Sequence, residues 1–493
     1  MIDSVELILP QLLEQLRPLL SAQRQTVYVV GGTVRDAVLG RPTHDIDLAV
    51  AEGALPLTFE LADALAKPAF VLDRERDVGR VLLADEDFSI DIARFRGPTL
   101  ESDLLGRDFT INAMALPADG HTIGDIIDPH RGLADLEQGL VRSVHLQSIT
   151  SDPIRALRAC RFVAQFGFSL SGDTAALATA AVPLLPNSAS PERIRDELSR
   201  VLMSNAPVMG FELLHKLGIL ARVLPDLALL HGLNQSPPHH EDVLHHTWRV
   251  LGYLEAIGQL VAGAKATDEW EHAVQALTLP YQEALSEHLK STADGGMNGR
   301  LLLMWGGLFH DIGKGQTQTI DDDGHIRFWG HAEIGTDVAA QILSSLSFSN
   351  EAKRRVSTIV GGHMRPLQLA LERQAPSRRA MYRYFRALNE AGTDVGLLAL
   401  ADHLATYDGI GDRVGWESLL RVVSSLYRTY FTGYEQTVAP PRLLSGQDII
   451  AELDEPPGQE IGRLLRLLEE AQASGEVNSR DEALSFIRRH HAP

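Results

Sequence analysis

Cysteine is nearly absent from this chain. The single thiol in 493 residues, Cys160, excludes an intramolecular disulfide and fits a reducing compartment. No apolar run is long enough to span a bilayer, and Met1-Ile-Asp-Ser4 lacks the basic-then-apolar plan of a secretory signal. A cytoplasmic protein with no membrane partner is expected. Positive charge is also scarce: 45 Lys and Arg stand against 65 Asp and Glu, a formal net charge of −20. That balance excludes indiscriminate nucleic-acid binding through bulk charge but leaves room for a local basic groove. Internal repeats and low-complexity tails are missing as well.

What is present is an ordinary mixture, 44% hydrophobic and 22% charged, on a chain too long for one core. Its most informative stretch is Tyr28-Val-Val-Gly-Gly-Thr-Val-Arg-Asp-Ala-Val-Leu-Gly-Arg-Pro-Thr-His-Asp-Ile-Asp-Leu-Ala-Val50. This reads as a strand, a turn at Gly31-Gly32, a short helix ending near Gly40, and a second strand carrying Asp45 and Asp47. Strand side chains alternate, so the two carboxylates share one face. Like charges so close call for a divalent cation with oxygen ligands such as Mg2+. The glycines allow backbone N–H groups to approach a phosphate. A leading helix is expected over residues 4–20, a second helix over Leu57–Leu65, and strands around Phe70–Leu72, Arg80–Leu83 and Phe88–Ala93. Asp91 falls on the polar face of the last, and three carboxylates on adjacent strands can hold the two metals that phosphoryl or nucleotidyl transfer uses.

Further along, Arg107, Asp108 and Asn112 form a compact polar set. They suit a ribose or phosphate, or equally a salt-bridged helix start. Asp152-Pro153 predicts a helix with Asp152 as N-cap. On that helix Arg155, Arg158 and Arg161 recur every third residue beside an apolar stripe of Leu157, Cys160 and Ala164. Such a stripe argues for a docked helix whose arginines meet an anion. Ser190-Pro-Glu starts another helix, and composition breaks before Asn234. Residues 262–299 read as an acidic inserted helical hairpin or loop, and the last helix as roughly 483–489.

Taken together, Gly31-Gly-Thr-Val-Arg-Asp36, Gly40-Arg-Pro-x-x-Asp-x-Asp47, Arg107-Asp-Phe-Thr-Ile-Asn-Ala-Met-Ala115, Asp152-Pro-x-Arg155-x-x-Arg158-x-x-Arg161-Phe162 and Glu192-Arg-Ile resemble successive motifs of the bacterial tRNA nucleotidyltransferase and poly(A) polymerase family. The match runs in order over residues 25–235. It implies an α+β fold, with a small mixed α/β polymerase-β-like head followed by all-α neck, HD and tail modules. It also implies template-independent addition of nucleotides from CTP or ATP to a tRNA 3′ end. Asp45 and Asp47 then resemble the metal ligands and Asp91 the third carboxylate. Gly31, Gly32, Arg35, Arg107, Asp108 and Asn112 would surround the incoming nucleotide. Asp152 and Arg155 resemble the pair that imitates a complementary base, and Arg158 and Arg161 would hold the triphosphate. Two departures stand out. Gly106 precedes Arg107 where the family often has a second arginine, and between the strand that ends at Ala93 and Arg107 there is only Arg94–Gly106. So short an interval resembles the branch that adds only two cytidines, although other short-loop relatives add adenosine. CCA, CC-only and A-only addition stay open, with poly(A) polymerase as the alternative substrate assignment.

A second constellation comprises His246, His310-Asp311, His331, His363 and Asp402. His310-Asp-Ile-Gly-Lys314 resembles the HD phosphohydrolase signature, and imidazoles with carboxylates suit a divalent metal that activates water against a phosphoester. His331 and His363 could support a second ion. His310-Asp311 directly after the apolar run Leu301–Phe309 is hard to explain by packing. His239, His240, His325, His490 and His491 are left as background. The expected modules are a head at 1–145, a neck at 146–233, an HD domain at 234–412 and a tail at 413–493. A different class of answer is an HD metal-dependent phosphohydrolase whose N-terminal half mainly binds RNA. A pure tRNA binder is disfavoured, having no need of two metal sets.

Overall fold

The computed structural model describes residues 5–491 except 44, 84–87 and 293–295. Ser4 of the leading helix and His44 of the Gly-Gly stretch lie outside the described residues. Two compact units partition the chain: Met1–Arg193 with Lys216–Arg222, and Ile194–His215 with Val223–Pro493.

The first unit opens with helix α1 (Gln11–Ser21), shorter than residues 4–20 predict. Pro10 sits at its start, and upstream of it Glu6 bridges Thr122. Then follow β1 (Tyr28–Val30), α2 (Gly32–Val38), β2 (Asp45–Val50), α3 (Ala54–Leu65), β3 (Ala69–Asp73), β4 (Val78–Leu83), β5 (Phe88–Arg94), α4 (Leu100–Leu105) and β6 (Ala115–Pro117). The strands form one mixed sheet in the order β3-β4-β5-β2-β1-β6. β2 and β5 are parallel, pairing Asp45 with Ser89 and Asp47 with Asp91, so the carboxylates occupy one face. On the other face Ile46, Leu48, Ile90 and Ile92 are buried, and α3 packs against β4 and β5 there. Burial of one face fixes the register, because a slip of one residue would put the aspartates into the core.

Helices α5 (Gly132–Glu137), α6 (Ser148–Ser151) and α7 (Arg155–Phe166) continue this unit. Asp128 caps α5 by accepting from the N–H groups of Gly132 and Leu133. The predicted Asp152 N-cap is not observed. Asp152 breaks the chain between α6 and α7 with extended backbone, Pro153 and Ile154 form a turn, and α7 begins at Arg155. Asp152 instead binds Arg193 at 2.9 Å. The apolar stripe of α7 is docked as expected, with Leu157, Cys160 and Ala164 buried.

Among its described residues the second unit is mainly helical, with a hairpin, Gln318–Ile320 with Ile326–Phe328, that the all-α expectation lacks. Its β-branched and aromatic residues flank a turn in which Gly324 takes φ +80°. Residues 262–299 contain the helices Glu269–Thr278 and Gln282–Lys290. Toward the end of the chain, Gly446–Leu453, Gln459–Ser474 and Arg480–His490 enclose a core of Leu444, Ile449, Leu464, Leu468, Phe486 and Ile487. Among the described residues no helix is long and apolar enough to cross a membrane.

Candidate active sites

The Gly-Gly turn ties α2 to β2 through Thr33. Its hydroxyl donates to the Asp45 carbonyl (3.2 Å) and accepts from the Asp47 N–H (3.0 Å). Asp45 is exposed and accepts from the Ser89 hydroxyl at 2.6 Å. Asp91 is gripped by both arms of the Arg80 guanidinium at 2.6 and 2.7 Å, Arg80 lying opposite it on β4. Asp47 lies between these two carboxylates and is half-buried. Burial raises its pKa to about 6, Asp91 and Asp45 push the same way, and Arg107 and Arg35 pull against them. Gly31 holds φ +70°, and a Cβ there would stand 2.7 Å from Arg107 Nη1 and 3.2 Å from Asp47 Oδ2. The absent side chain thus lets Arg107 face Asp47 directly. All three carboxylates offer oxygen donors only, and their mutual charge is incompletely offset, which fits a hard divalent cation at Asp45 and Asp47.

The other predicted nucleotide-binding residues form a polar network in which Arg35, Asp108 and Asn112 are buried and Arg107, Asp152, Arg155, Arg158 and Arg161 half-buried. Arg35 forks onto Asp36 (2.9 and 2.8 Å) and donates to Asn112 Oδ1 (2.6 Å), while the Asn112 amide donates to Asp108 (3.0 Å). Arg158 binds Asp108 at 2.6 Å, and although burial alone would raise the Asp108 pKa, Arg158 and Asn112 hold it far below the carboxylate range. Arg107 is anchored by Asp103 at 3.0 Å. Arg155 donates to the carbonyls of Gly106 (2.9 Å), Arg107 (3.0 Å) and Ser148 (3.1 Å), joining α7 to the Arg107 loop. Arg161 lies over the Phe162 ring at 4.2 Å. The arginine stripe therefore meets protein partners in this structure: a carboxylate, a set of carbonyls and an aromatic face.

In the second unit, five elements converge on the HD cluster. His246 projects from the helix Val243–Val261, His310 and Asp311 follow Gly299–Phe309, His331 opens His331–Ser345, His363 follows Asn350–Gly362, and Asp402 lies in Ala391–Thr406. All except half-buried His331 are buried. Asp311 stands between two groups. His246 and His310 lie 3.8 and 3.2 Å from one of its oxygens, and His331 and His363 lie 3.5 and 3.8 Å from the other. Asp402 completes the first group by contacting His246 at 3.0 Å. In His310, His331 and His363 the Nδ1–H donates to the carbonyl three residues earlier, at 2.8, 2.9 and 2.6 Å. In the neutral ring each Nε2 is then a lone-pair acceptor turned inward. Those of His331 and His363 face one another at 3.2 Å, and that of His310 is buried with no hydrogen bond. Facing lone pairs are repulsive unless a proton or cation lies between them, and the imidazole and carboxylate donors on either side of Asp311 fit divalent metal ions.

Family models match this chain in three blocks: the poly(A) polymerase head domain over residues 27–142, the probable RNA and SrmB-binding site of polymerase A over 167–230, and the HD domain over 243–407. The A-adding tRNA nucleotidyltransferase of Deinococcus radiodurans is 33% identical over 468 residues, covering 94% of both chains. The chain belongs to the bacterial tRNA nucleotidyltransferase and poly(A) polymerase family. The CC-adding tRNA nucleotidyltransferase of Thermus thermophilus is 31% identical over 473 residues, 93% of this chain and 92% of its own. Among solved structures, a CCA-adding enzyme with ATP superposes with a TM-score of 0.60 over 98% of this chain and 96% of that one, at 18% identity. The Thermotoga maritima CCA-adding enzyme with tRNA gives 0.56 over 98% and 96%, at 19% identity. These likenesses confirm the fold.

Several residues of this family member gain a place only in three dimensions. Arg80, Ser89 and Thr33 hold the head carboxylates, and Asp103 holds Arg107. In the HD cluster Lys314 contacts Asp311 and Gln235, each at 2.7 Å. His239, left as background by the sequence, stacks on His246 with ring centroids 4.9 Å apart. The signal available for Lys314 was its place at the end of His-Asp-Ile-Gly-Lys. None existed for Arg80, whose pairing depends on register across β4 and β5.

Proposed function

We propose that the chain is a template-independent tRNA nucleotidyltransferase that adds CMP, AMP or both to the tRNA 3′ end. The observation that carries this is the registered pairing of Asp47 with Asp91 beside Asp45, with Arg107 facing Asp47 across Gly31. Asp45 and Asp47 would hold the divalent metal, which supplies charge neutralisation of the triphosphate and a lower pKa for the attacking ribose hydroxyl. Arg107 faces the developing phosphate charge while Asp103 keeps its fork in place. Arg80 holds both oxygens of Asp91 and so aims that carboxylate beside Asp47. Asp152 and Arg155 form the base-reading end, with Arg193 and the Gly106–Arg107 carbonyls setting their positions. Arg35, Asp108, Asn112, Arg158 and Arg161 position that end from behind. The four modules, bounded near 145, 233 and 412, are part of this assignment.

The test supplies tRNAs ending before, within and after the terminal triplet, with CTP and ATP singly and together, and reads product length. Arrest after two cytidines identifies CC addition, a single adenosine on a CC end identifies A addition, and long A tails identify a poly(A) polymerase. Absence of incorporation under every combination would overturn the proposal.

The facing imidazoles of the HD cluster favour a second activity, metal-dependent hydrolysis of phosphoesters. His246, His310, Asp311 and Asp402 would hold one ion, and Asp311, His331 and His363 another. The bound metals would supply an activated water, and Lys314 would supply positive charge beside it.

A further inference from the structure

The HD cluster opens on two sides. Cavities of about 400 and 730 Å³ share Lys314, His331, Met364 and Gln368 at the metal-ligand face. Each alone is of the size that takes a small ligand. The first contains Asp311 and Asp402 and is walled by Leu367, Leu371, His403, Tyr407 and Val414. Its aromatic side is built: the His403 ring lies 4.7 Å from Tyr407 and 5.6 Å from Trp416. The second runs along the hairpin and is bordered by Arg327, Phe328, Trp329 and Arg365, with Glu333 as its one carboxylate. Trp329 is 77% exposed, so among the described residues most of its surface is uncovered.

We propose that this site takes a phosphodiester carrying a nucleoside on each side, such as the last linkage of an RNA 3′ end or a free dinucleotide. This rests on the phosphohydrolase reading and names its substrate class. The phosphate sits where the cavities meet, beside Asp311 and Lys314. One nucleoside enters the Tyr407 cavity, and the other stacks on Trp329 with Arg365 near its backbone. A phosphomonoester fills one cavity and leaves the second, with its bare indole and cationic rim, without a role. An exposed aromatic beside arginine is the arrangement on which single-stranded bases stack. In the reaction a water oxygen forms a new bond to phosphorus and the bond to one ribose oxygen breaks. That oxygen takes up a proton, and the products are an alcohol and a phosphomonoester, with no change of oxidation state.

The test uses the full-length protein and equilibrium dialysis of cytidylyl-(3′→5′)-adenosine phosphorothioate against AMP, with tryptophan fluorescence as a second readout. Trp329→Ala and Arg365→Ala should each lower the diester-to-AMP affinity ratio by roughly tenfold. The diester-induced fluorescence change should disappear in Trp329→Phe. Both side chains are exposed, so their replacement leaves the fold in place. An unaltered ratio in both alanine variants overturns the proposal, as does AMP binding as tightly as the diester to the wild type. An RNA 3′ end and a free dinucleotide are distinguished by competition with a tRNA ending in CC. Hydrolysis of bis(p-nitrophenyl) phosphate by the wild type and not by His310→Ala tests the phosphohydrolase reading separately. Loss of the ratio with hydrolysis intact sinks the two-sided site alone. A preserved ratio with no hydrolysis sinks the hydrolase reading and keeps the diester site.

Discussion

Asp47→Asn should stabilise the metal-free head while abolishing nucleotide addition. Asp47 rises from an ordinary 3.8 to about 6, chiefly through burial and further through Asp91 and Asp45, against the pull of Arg107. The folded state thus holds the proton more tightly than the unfolded chain. Stability therefore falls as pH climbs from about 4 to about 6, and the cost is fully present above that. The shift corresponds to about 3 kcal/mol at most, and the partial exposure of the Asp47 side chain reduces this to about 2 kcal/mol. An asparagine of the same shape carries no charge to desolvate and no repulsion from its neighbours. Hydrogen exchange of the β2 amides of Leu48 and Val50, measured between pH 5 and 8 without divalent metal, reports the local opening free energy. Near pH 7.5 the variant should open less readily by about 2 kcal/mol, with a flatter pH dependence. Millimolar Mg2+ should protect the wild type and have little effect on the variant, because only the former gains a ligand. A variant less stable than wild type, or one with the same pH slope, would refute the electrostatic account of this face.

Three further outcomes follow from the same geometry. Arg158→Ala strands buried Asp108, and should destabilise the protein by about 2–4 kcal/mol in urea denaturation; replacing Asp108 with Asn at the same time should restore part of the loss. Gly31→Ala places a Cβ against Arg107 at a φ of +70°, and should cost about 1–3 kcal/mol in the same denaturation assay and lower incorporation, because Arg107 must turn away from Asp47. Metal analysis of the purified protein, with its head site emptied by Asp45→Ala, should find two ions per chain. His363→Ala should remove one, and His246→Ala the other.

The strand alternation that separates Asp45 and Asp47 from Ile46 and Leu48 was legible in the sequence, because one polar and one apolar face suffice to define it. The docked stripe of α7 was legible for the same reason at helical period. Asp152 misled, since a carboxylate before proline also suits a chain break, and what decided between them was Arg193, forty-one positions away. The arginines of α7 were recognisable as charge seeking an anion, but their observed partners include the carbonyls of Gly106 and Arg107, which no pattern of residue types announces. The leading helix was overextended because periodicity carries no information about the strand-like bridge of Glu6 to Thr122. In the HD cluster the residues that converge, His246, His310, Asp311, His331, His363 and Asp402, could be named from spacing and family likeness. The inward aim of the His310 and His363 imidazoles could not, as it depends on carbonyls three residues back, near the ends of the helices Gly299–Phe309 and Asn350–Gly362.

The most direct measurement is incorporation of labelled CMP and AMP into tRNA by the wild type, Asp45→Ala and His310→Ala under identical conditions. The wild type should extend the tRNA 3′ end, Asp45→Ala should fall below about one hundredth of that rate, and His310→Ala should stay close to it. Equal incorporation by the wild type and Asp45→Ala would contradict the assignment of nucleotide addition to the Asp45 and Asp47 face.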